Sequence, residues 1–461
     1  MVLDSKTLHE YKNDYKKHKN NNLLRNVISQ NDLKSITLNH KLIQKDHHFF
    51  NHKIHEEFIK PTDQKHSGRC WLFAVLNNLR MLMMKYHNLE HFEFSQNYLT
   101  FWDKLEKCHS FLQYIKETKS KPIDNMHVLH LLSNPISDGG QWNMINELIQ
   151  KYGAIPKSCM KETHHSNNTY NLNSILKNKL LYFAMEIREH NGNIHTMMKE
   201  IYRLLVYFLG EPPDKISWEY KKKKAGGKTK KHKTKKRHKK KTITIKNIKK
   251  TPFNNGFSVK NITPLEFYKK YIPIDISRKI ALIHNPTKPY YKCYDIKFLK
   301  SVYEGKGTNY VNVPLSVMKN ILNKSIENKE PVWFGSDFSN NISKKHRIMN
   351  KNIYNNSELL QTKLDFSKKD AIKYHHTSIN HAMIIRGMHK DKNNKVTKYL
   401  VENSHGDFGH KEGTFIMFEN WVDNYVHEIV VDKDYVSSKI KNAMKKKPIL
   451  LEPWDNFGKL L

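Results

Sequence analysis

Cys70 stands where a nucleophile would be placed. The segment Gln64-Lys65-His66-Ser67-Gly68-Arg69-Cys70-Trp71-Leu72-Phe73-Ala74 runs from a glycine-containing loop into a stretch with Leu72, Val75, Leu76, Leu79 and Met83 at helical spacing. A thiol at the start of a helix meets unpaired backbone N–H groups and the positive end of the macrodipole, both of which favour the thiolate. The thiolate is the attacking species in acyl transfer. Taken alone, a cysteine followed by Trp-Leu-Phe is more often just core. Partners decide between the two readings, and His381 and Asn403 are candidates: His381 opens an apolar run and Asn403 closes another, with Tyr399, Val401 and Asn403 on one face of a strand.

Ser67-Gly68-Arg69-Cys70-Trp71 resembles the papain-type signature C-G-[SA]-C-[WY] at the glycine, the nucleophile and the aromatic, with Ser67 in place of the upstream cysteine. The resemblance implies a role for Gln64, six residues before Cys70, as a donor to the oxyanion. It also implies that Ile379-Asn380-His381-Ala382-Met383 carries the base and Val401-Glu402-Asn403-Ser404 the residue that orients it, in the chain order Cys, His, Asn.

The elements that must position these side chains divide into two halves. Apolar spacing before residue 221 is helical, with a second such stretch over 196–209. After it come short apolar runs bounded by turn residues: Pro331 to Phe334, Ala382 to Ile385, Tyr399 to Glu402, Gly413 to Phe418 and Glu428 to Val431. Helices early and strands late predict an α+β fold with segregated layers, and 461 residues at 38% hydrophobic supply an ample core.

The net charge of +36 is unevenly spread, since Lys221 to Lys241 holds 14 Lys or Arg and no acid. Like charges at that density repel and bury no core, so 221–250 is expected to be a disordered basic insertion. Its functional readings are a nuclear-import signal or a tether for nucleic acid or another polyanion. Cys70, Cys108, Cys159 and Cys293 form no CxxC pair, which argues against a disulfide framework or a cysteine zinc site and fits a cytoplasmic protein. His127 and His130 form an H-x-x-H pair without a partnering glutamate, so no metal is expected, nor any organic cofactor. The first twenty residues lack an apolar signal region and no 18-residue apolar window occurs, so neither secretion nor a membrane span is expected.

The likeness narrows to the bleomycin hydrolase and aminopeptidase C branch of the papain-like peptidases. It is carried by Asp138-Gly139-Gly140-Gln141-Trp142, Lys151-Tyr152-Gly153, Pro156-Lys157, Trp218-Glu219-Tyr220, Thr263-Pro264-Leu265-Glu266-Phe267-Tyr268, Pro331-Val332-Trp333-Phe334-Gly335 and Glu452-Pro453-Trp454-Asp455. Cys70 and His381 are 311 residues apart, against about 130–150 in simple papains, as insertions in the core would give. The resemblance implies one papain-like unit over 1–461, a helical half and a β-barrel-like half with helical and hook-like insertions. It implies a thiol aminopeptidase acting on peptides and a homohexamer whose active sites face a channel. Gly139 and Gly140 would border the substrate backbone, and the arm 450–461 would bring the Leu461 carboxylate to the substrate's α-amino group. One departure stands beside the orienting residue: His405 occupies the place of the branch's tryptophan cover. The competing reading is a polyanion-binding scaffold, with the tract of lysines supplying the affinity.

Overall fold

In the computed structural model, residues 2–45, 48–54, 60–221, 253, 256–406 and 413–458 are described. The central element is the helix Cys70–His87, buried along nearly its whole length from Cys70 to Met84. A helix apolar on all sides must be packed on all sides. It lies between the helices Gln96–Glu117 and Trp142–Tyr152 and the strand His381–Lys390. Tyr170–His190 and Ile194–Leu209 extend the helical layer by packing on Gln96–Glu117.

Among the described residues twelve strands form one sheet. Its middle runs Lys279–Ile283, Val426–Asp432, Val332–Ser336, His381–Lys390, Val396–Glu402 and Thr414–Phe418, all antiparallel. Alternate residues divide between two cores. Ala281, Ile283, Trp333, Ala382, Ile384 and Val430 pack with the Cys70 helix. Ile280, Leu282, Val332, Phe334, Met383, Ile385, Ile429 and Val431 pack on the other face with Met318, Ile321, Leu322 and Ile326 of the helix Leu315–Glu327. Burial on both faces explains why these strands read as unbroken apolar runs rather than as alternation.

The five expected strands are present, four of them longer than their apolar runs by one to six residues and Thr414–Phe418 one residue shorter, and helices dominate the first half. Lys279–Ile283, Cys293–Ile296, Tyr310–Asn312 and Ile449–Leu451 were not foreseen, being short or interrupted by polar residues. Trp218-Glu219-Tyr220 lies in a hairpin in which Ile216–Lys221 pairs with Gly256–Ile262 and Lys221 faces Gly256. The basic tract therefore leaves and re-enters the fold at adjacent points, and apart from Lys221 it falls outside the described residues. So does Leu461. The arm before it is tied down by Lys297 Nζ and His127 Nε2, 2.5 and 2.7 Å from Glu452, by Lys288 against Asp455, and by Phe457 packed near Tyr310 and His427. No helix among the described residues is long and apolar enough to cross a membrane.

Candidate active site

The chain enters the Cys70 helix through a loop held from several directions. Gly68 N–H donates to Asp138 Oδ2 at 3.0 Å, and the Trp71 indole N–H donates to the Asp138 carbonyl at 2.7 Å. Asp138 also accepts from Lys104 Nζ at 2.7 Å, from Asn173 Nδ2 at 2.9 Å and from the Thr169 hydroxyl. Burial alone would raise this carboxyl, but the Lys104 ammonium and the donors around it hold it well below the usual carboxylate range. Arg69, buried beside the nucleophile candidate, donates to Ser67 Oγ at 2.9 Å, Thr100 Oγ1 at 3.1 Å and Glu162 Oε2 at 3.0 Å. On the far side the Trp333 indole donates to the Trp71 carbonyl at 3.2 Å. These contacts fix the first turn of the helix, and with it the Cys70 sulfur.

Cys70 is 2% exposed, and burial pushes its thiol up to about 11; the backbone N–H groups of Ala382, Trp71 and Cys70 itself pull the other way by favouring the thiolate. The sulfur thus meets the helix N-terminus on one side and, on the other, the residue that follows His381. His381 Nε2 lies 2.8 Å from Asn403 Oδ1. An amide oxygen only accepts, so Nε2 carries the hydrogen and Nδ1 is the nitrogen left to exchange a proton. Burial draws the His381 imidazolium down to about 4, with the Asn403 hydrogen bond opposing it and His405 and Lys344 adding to it. His381 and Asn403 are both buried, and the rings of Phe338 and His405 pack on His381 with centroids 4.8 and 5.2 Å away. His405 lies parallel to His381 at 8°, so the smaller ring does stack against the histidine.

Asn403 lies one residue beyond the strand Val396–Glu402, whose Tyr399 and Val401 enter the second core; the residue is placed by the loop that follows. Its backbone N–H donates to the Gly413 carbonyl at 3.1 Å, and its Oδ1 accepts from Ser404 N–H at 2.8 Å. The approach to His381 is held by Asn380, which donates to Asp337 Oδ1 at 2.9 Å and accepts from Phe338 N–H at 2.8 Å.

Gln64 is buried and its amide is oriented at both ends. Oε1 accepts from the Ser404 hydroxyl at 2.6 Å, while Nε2 donates to the Ser67 carbonyl at 2.6 Å and keeps a second N–H. Gln64 N–H also donates to the Ser404 carbonyl at 2.7 Å, so the Gln64 and Asn403 segments are bound side by side. Four residues foreseen from sequence, Gln64, Cys70, His381 and Asn403, therefore belong to one connected network. Sequence reasoning missed Ser404 as the bridge between two of them and Asp138 as the hub of the loop; both stood inside quoted motifs, but only tertiary partners reveal what they do. His127 Nε2 holds Glu452 of the arm at 2.7 Å, and no group of three side chains that could hold a metal ion is found among the described residues.

Gly139 and Gly140 are buried. A Cβ at Gly140 would lie 2.5 Å from Trp71 Cε2, so the residue is a glycine because the indole fills that space. The Gly139 carbonyl accepts from Lys107 Nζ at 2.6 Å. Gly140 therefore serves packing against Trp71, and Gly139 is tied to Lys107 through its carbonyl.

Comparison with known proteins agrees with this arrangement. Residues 2–255 and 247–458 match the Peptidase C1-like family. Bleomycin hydrolase of Mus musculus is 34% identical over 458 residues, spanning 95% of this chain and 94% of its own length. Aminopeptidase C of Listeria monocytogenes is 34% identical over 443 residues, 94% of this chain and 93% of its own. The crystal structure of pepw from Lactobacillus rhamnosis superposes with a TM-score of 0.89 at 30% identity, covering 100% of this chain and 99% of that one. By fold, by length and by the family match, the chain belongs to the Peptidase C1-like family of cysteine peptidases.

Proposed function

We propose that the protein is a cysteine aminopeptidase in which Cys70 attacks the first peptide carbonyl of a substrate to give a covalent thioester. The observation that carries the reading is the convergence, at the N-terminus of one buried helix, of the Cys70 sulfur, the Ala382 N–H and a histidine whose Nε2 is committed to Asn403. His381 takes the thiol proton through Nδ1 and delivers it to the leaving amine. Water then attacks the thioester, His381 accepts its proton, and the carboxylic acid leaves as Cys70 regains its hydrogen. The Gln64 Nε2 and Cys70 backbone N–H groups face the developing oxyanion, each worth about 3 kcal/mol of barrier.

Burial raises the Cys70 thiol and lowers the His381 imidazolium, while the helix N-terminus, the Ala382 N–H and the Asn403 hydrogen bond favour the charged forms. The chain's relatives being bleomycin hydrolases and aminopeptidases supports peptides as the substrate class. The homohexamer, the Leu461 carboxylate as anchor for the α-amino group, and the Gly139–Gly140 edge as a rail for the substrate backbone belong to the same proposal. The four cysteines are free thiols, the state a reducing compartment maintains, and the cytoplasm is the proposed location.

Turnover of a panel of aminoacyl-coumarins with free and blocked α-amino groups, by the reduced protein and by Cys70→Ala, tests the function. Turnover confined to free amines and abolished in the variant is expected. Equal turnover of blocked substrates would refute the aminopeptidase, and turnover by Cys70→Ala would refute the nucleophile.

A further inference from the structure

The sheet carries a buried acid that the chemistry above leaves unused. Glu428 is 0% exposed, and neither carboxyl oxygen has a hydrogen-bond partner among the described residues. Every other buried acid among the described residues has a donor: Asp103 has Lys107, Glu106 has Lys151, Glu402 has Arg386, Asp432 has Arg278, Asp295 has Thr308 and Asp337 has Thr377. A hydrocarbon side chain would suit this position far better, because Glu428 alternates with Val430 on a face otherwise apolar.

Its place on the sheet gives the acid a meaning. Glu428 pairs with Gly335 on one side and Ile283 on the other, and Gly335 pairs in turn with Ala382. Paired residues on neighbouring antiparallel strands share a face, and Ala382 and Ile283 pack in the core of the Cys70 helix. Glu428 therefore projects to the same side as Cys70, two strands from the Ala382 N–H that meets the sulfur, a backbone separation of about 10 Å. The residue between them is a glycine: a Cβ at Gly335 would lie 3.6 Å from Glu428 Oε2 and 3.1 Å from Ile379 Cγ2, so no side chain of residue 335 stands between the carboxyl and Ala382, and Ile379 lies over that position. On the same face the Tyr310 hydroxyl, also buried, has no partner either, and the Glu428 charge adds to burial in raising that phenol.

Three unpartnered oxygens, two of them carboxyl, lack N–H donors. A lysine ammonium brings three donors and an arginine guanidinium five. Their extended side chains, or one further residue of peptide at about 3.3 Å, bridge much of the distance from the scissile carbonyl. Resting on the reading of Cys70 as nucleophile, we propose that Glu428 is the acidic floor of a subsite for a lysyl or arginyl side chain of the substrate near the scissile bond. Burial raises this carboxyl well above the usual carboxylate range; a cation arriving beside it favours the carboxylate, whose proton leaves to solvent.

Calorimetric binding to the full chain carrying Cys70→Ala tests this without turnover. The probes are Arg-amide and Arg-Ala-amide against Nle-amide and Nle-Ala-amide. At least one arginine probe is expected to bind about tenfold or more tighter than its norleucine match, with the ratio falling to about one on adding Glu428→Gln. Glu428→Asp, which keeps the charge one methylene shorter, is expected to retain part of the preference and so separates lost charge from lost fold. Equal binding of both probe types, or a preference that survives Glu428→Gln, would overturn the subsite. Failure of the wild-type chain to hydrolyse norleucyl-coumarin would instead count against Cys70, leaving the binding ratio to decide on Glu428.

Discussion

Asn403 is the residue whose replacement isolates orientation of the base from everything else. Its Oδ1 accepts from His381 Nε2 and from Ser404 N–H, both at 2.8 Å, while its Nδ2 has no partner among the described residues. Asn403→Ala therefore strands two buried donors and orphans nothing on the amide nitrogen side. A buried donor left unsatisfied costs about 1–3 kcal/mol. If the His381 share falls on the transition state, kcat/KM drops about 5- to 150-fold, at about 1.4 kcal/mol per factor of ten. Asn403→Asp keeps an acceptor in the same place, so orientation should survive. The added negative charge favours the imidazolium, which moves the acid limb of kcat/KM to higher pH than in the wild type. The sign follows from burial: His381 is drawn down to about 4, so the neutral base is present above that value and lost as pH falls through it. The assay is kcat/KM for one aminoacyl-coumarin over pH 4 to 9 in all three proteins, with iodoacetamide alkylation of Cys70 as a second readout. An alanine variant within threefold of wild type, or an aspartate variant whose acid limb does not rise, would refute the assignment of Asn403 as the orienting residue.

Other consequences can be measured with the same tools. Ser404→Ala removes one hydroxyl from Gln64 Oε1, and a loss of about 0.5–1.5 kcal/mol should appear as a 2- to 12-fold fall in kcat with little change in KM. Asp138→Asn leaves the buried Lys104 ammonium without its countercharge and should lower stability by about 3–5 kcal/mol in thermal unfolding. Because the folded-state value of Asp138 is depressed, that stabilisation is present above about pH 4 and is lost as pH falls toward the folded value, so the gap between the two proteins should narrow in acid. Gly140→Ala drives a methyl group into the Trp71 indole and should cost about 1–3 kcal/mol, visible as a lower Tm. Replacing residues 222–255 by a short turn joins strands that are already paired at Lys221 and Gly256; peptide turnover should persist within about twofold while retention on heparin weakens, and loss of turnover would show that the tract serves catalysis.

How much of this was legible beforehand depends on whether a feature is local. The helix start at Cys70 is written in consecutive residues, a glycine loop followed by apolar positions at helical spacing, and it lies where the spacing puts it. Strands such as Val332–Ser336 and His381–Lys390 are unbroken apolar runs because both faces of the sheet are covered, and that too shows in the sequence. The short strand Tyr310–Asn312 has no such signature, since three residues establish no period. The four candidate site residues could be named because each stands in a motif, whereas Ser404 and Asp138 act through partners 340 and up to 70 residues away, which no local pattern encodes. The resting charge state lay further out of reach. The helix N-terminus favours a thiolate, and the opposing effect of burial on Cys70 and His381 is a property of the whole fold that no local pattern encodes. Glu428 shows the same limit from the other side: in the run Glu428 to Val431 it reads as the polar end of a strand, and its significance appears only when the partners of every buried acid are known and this one has none.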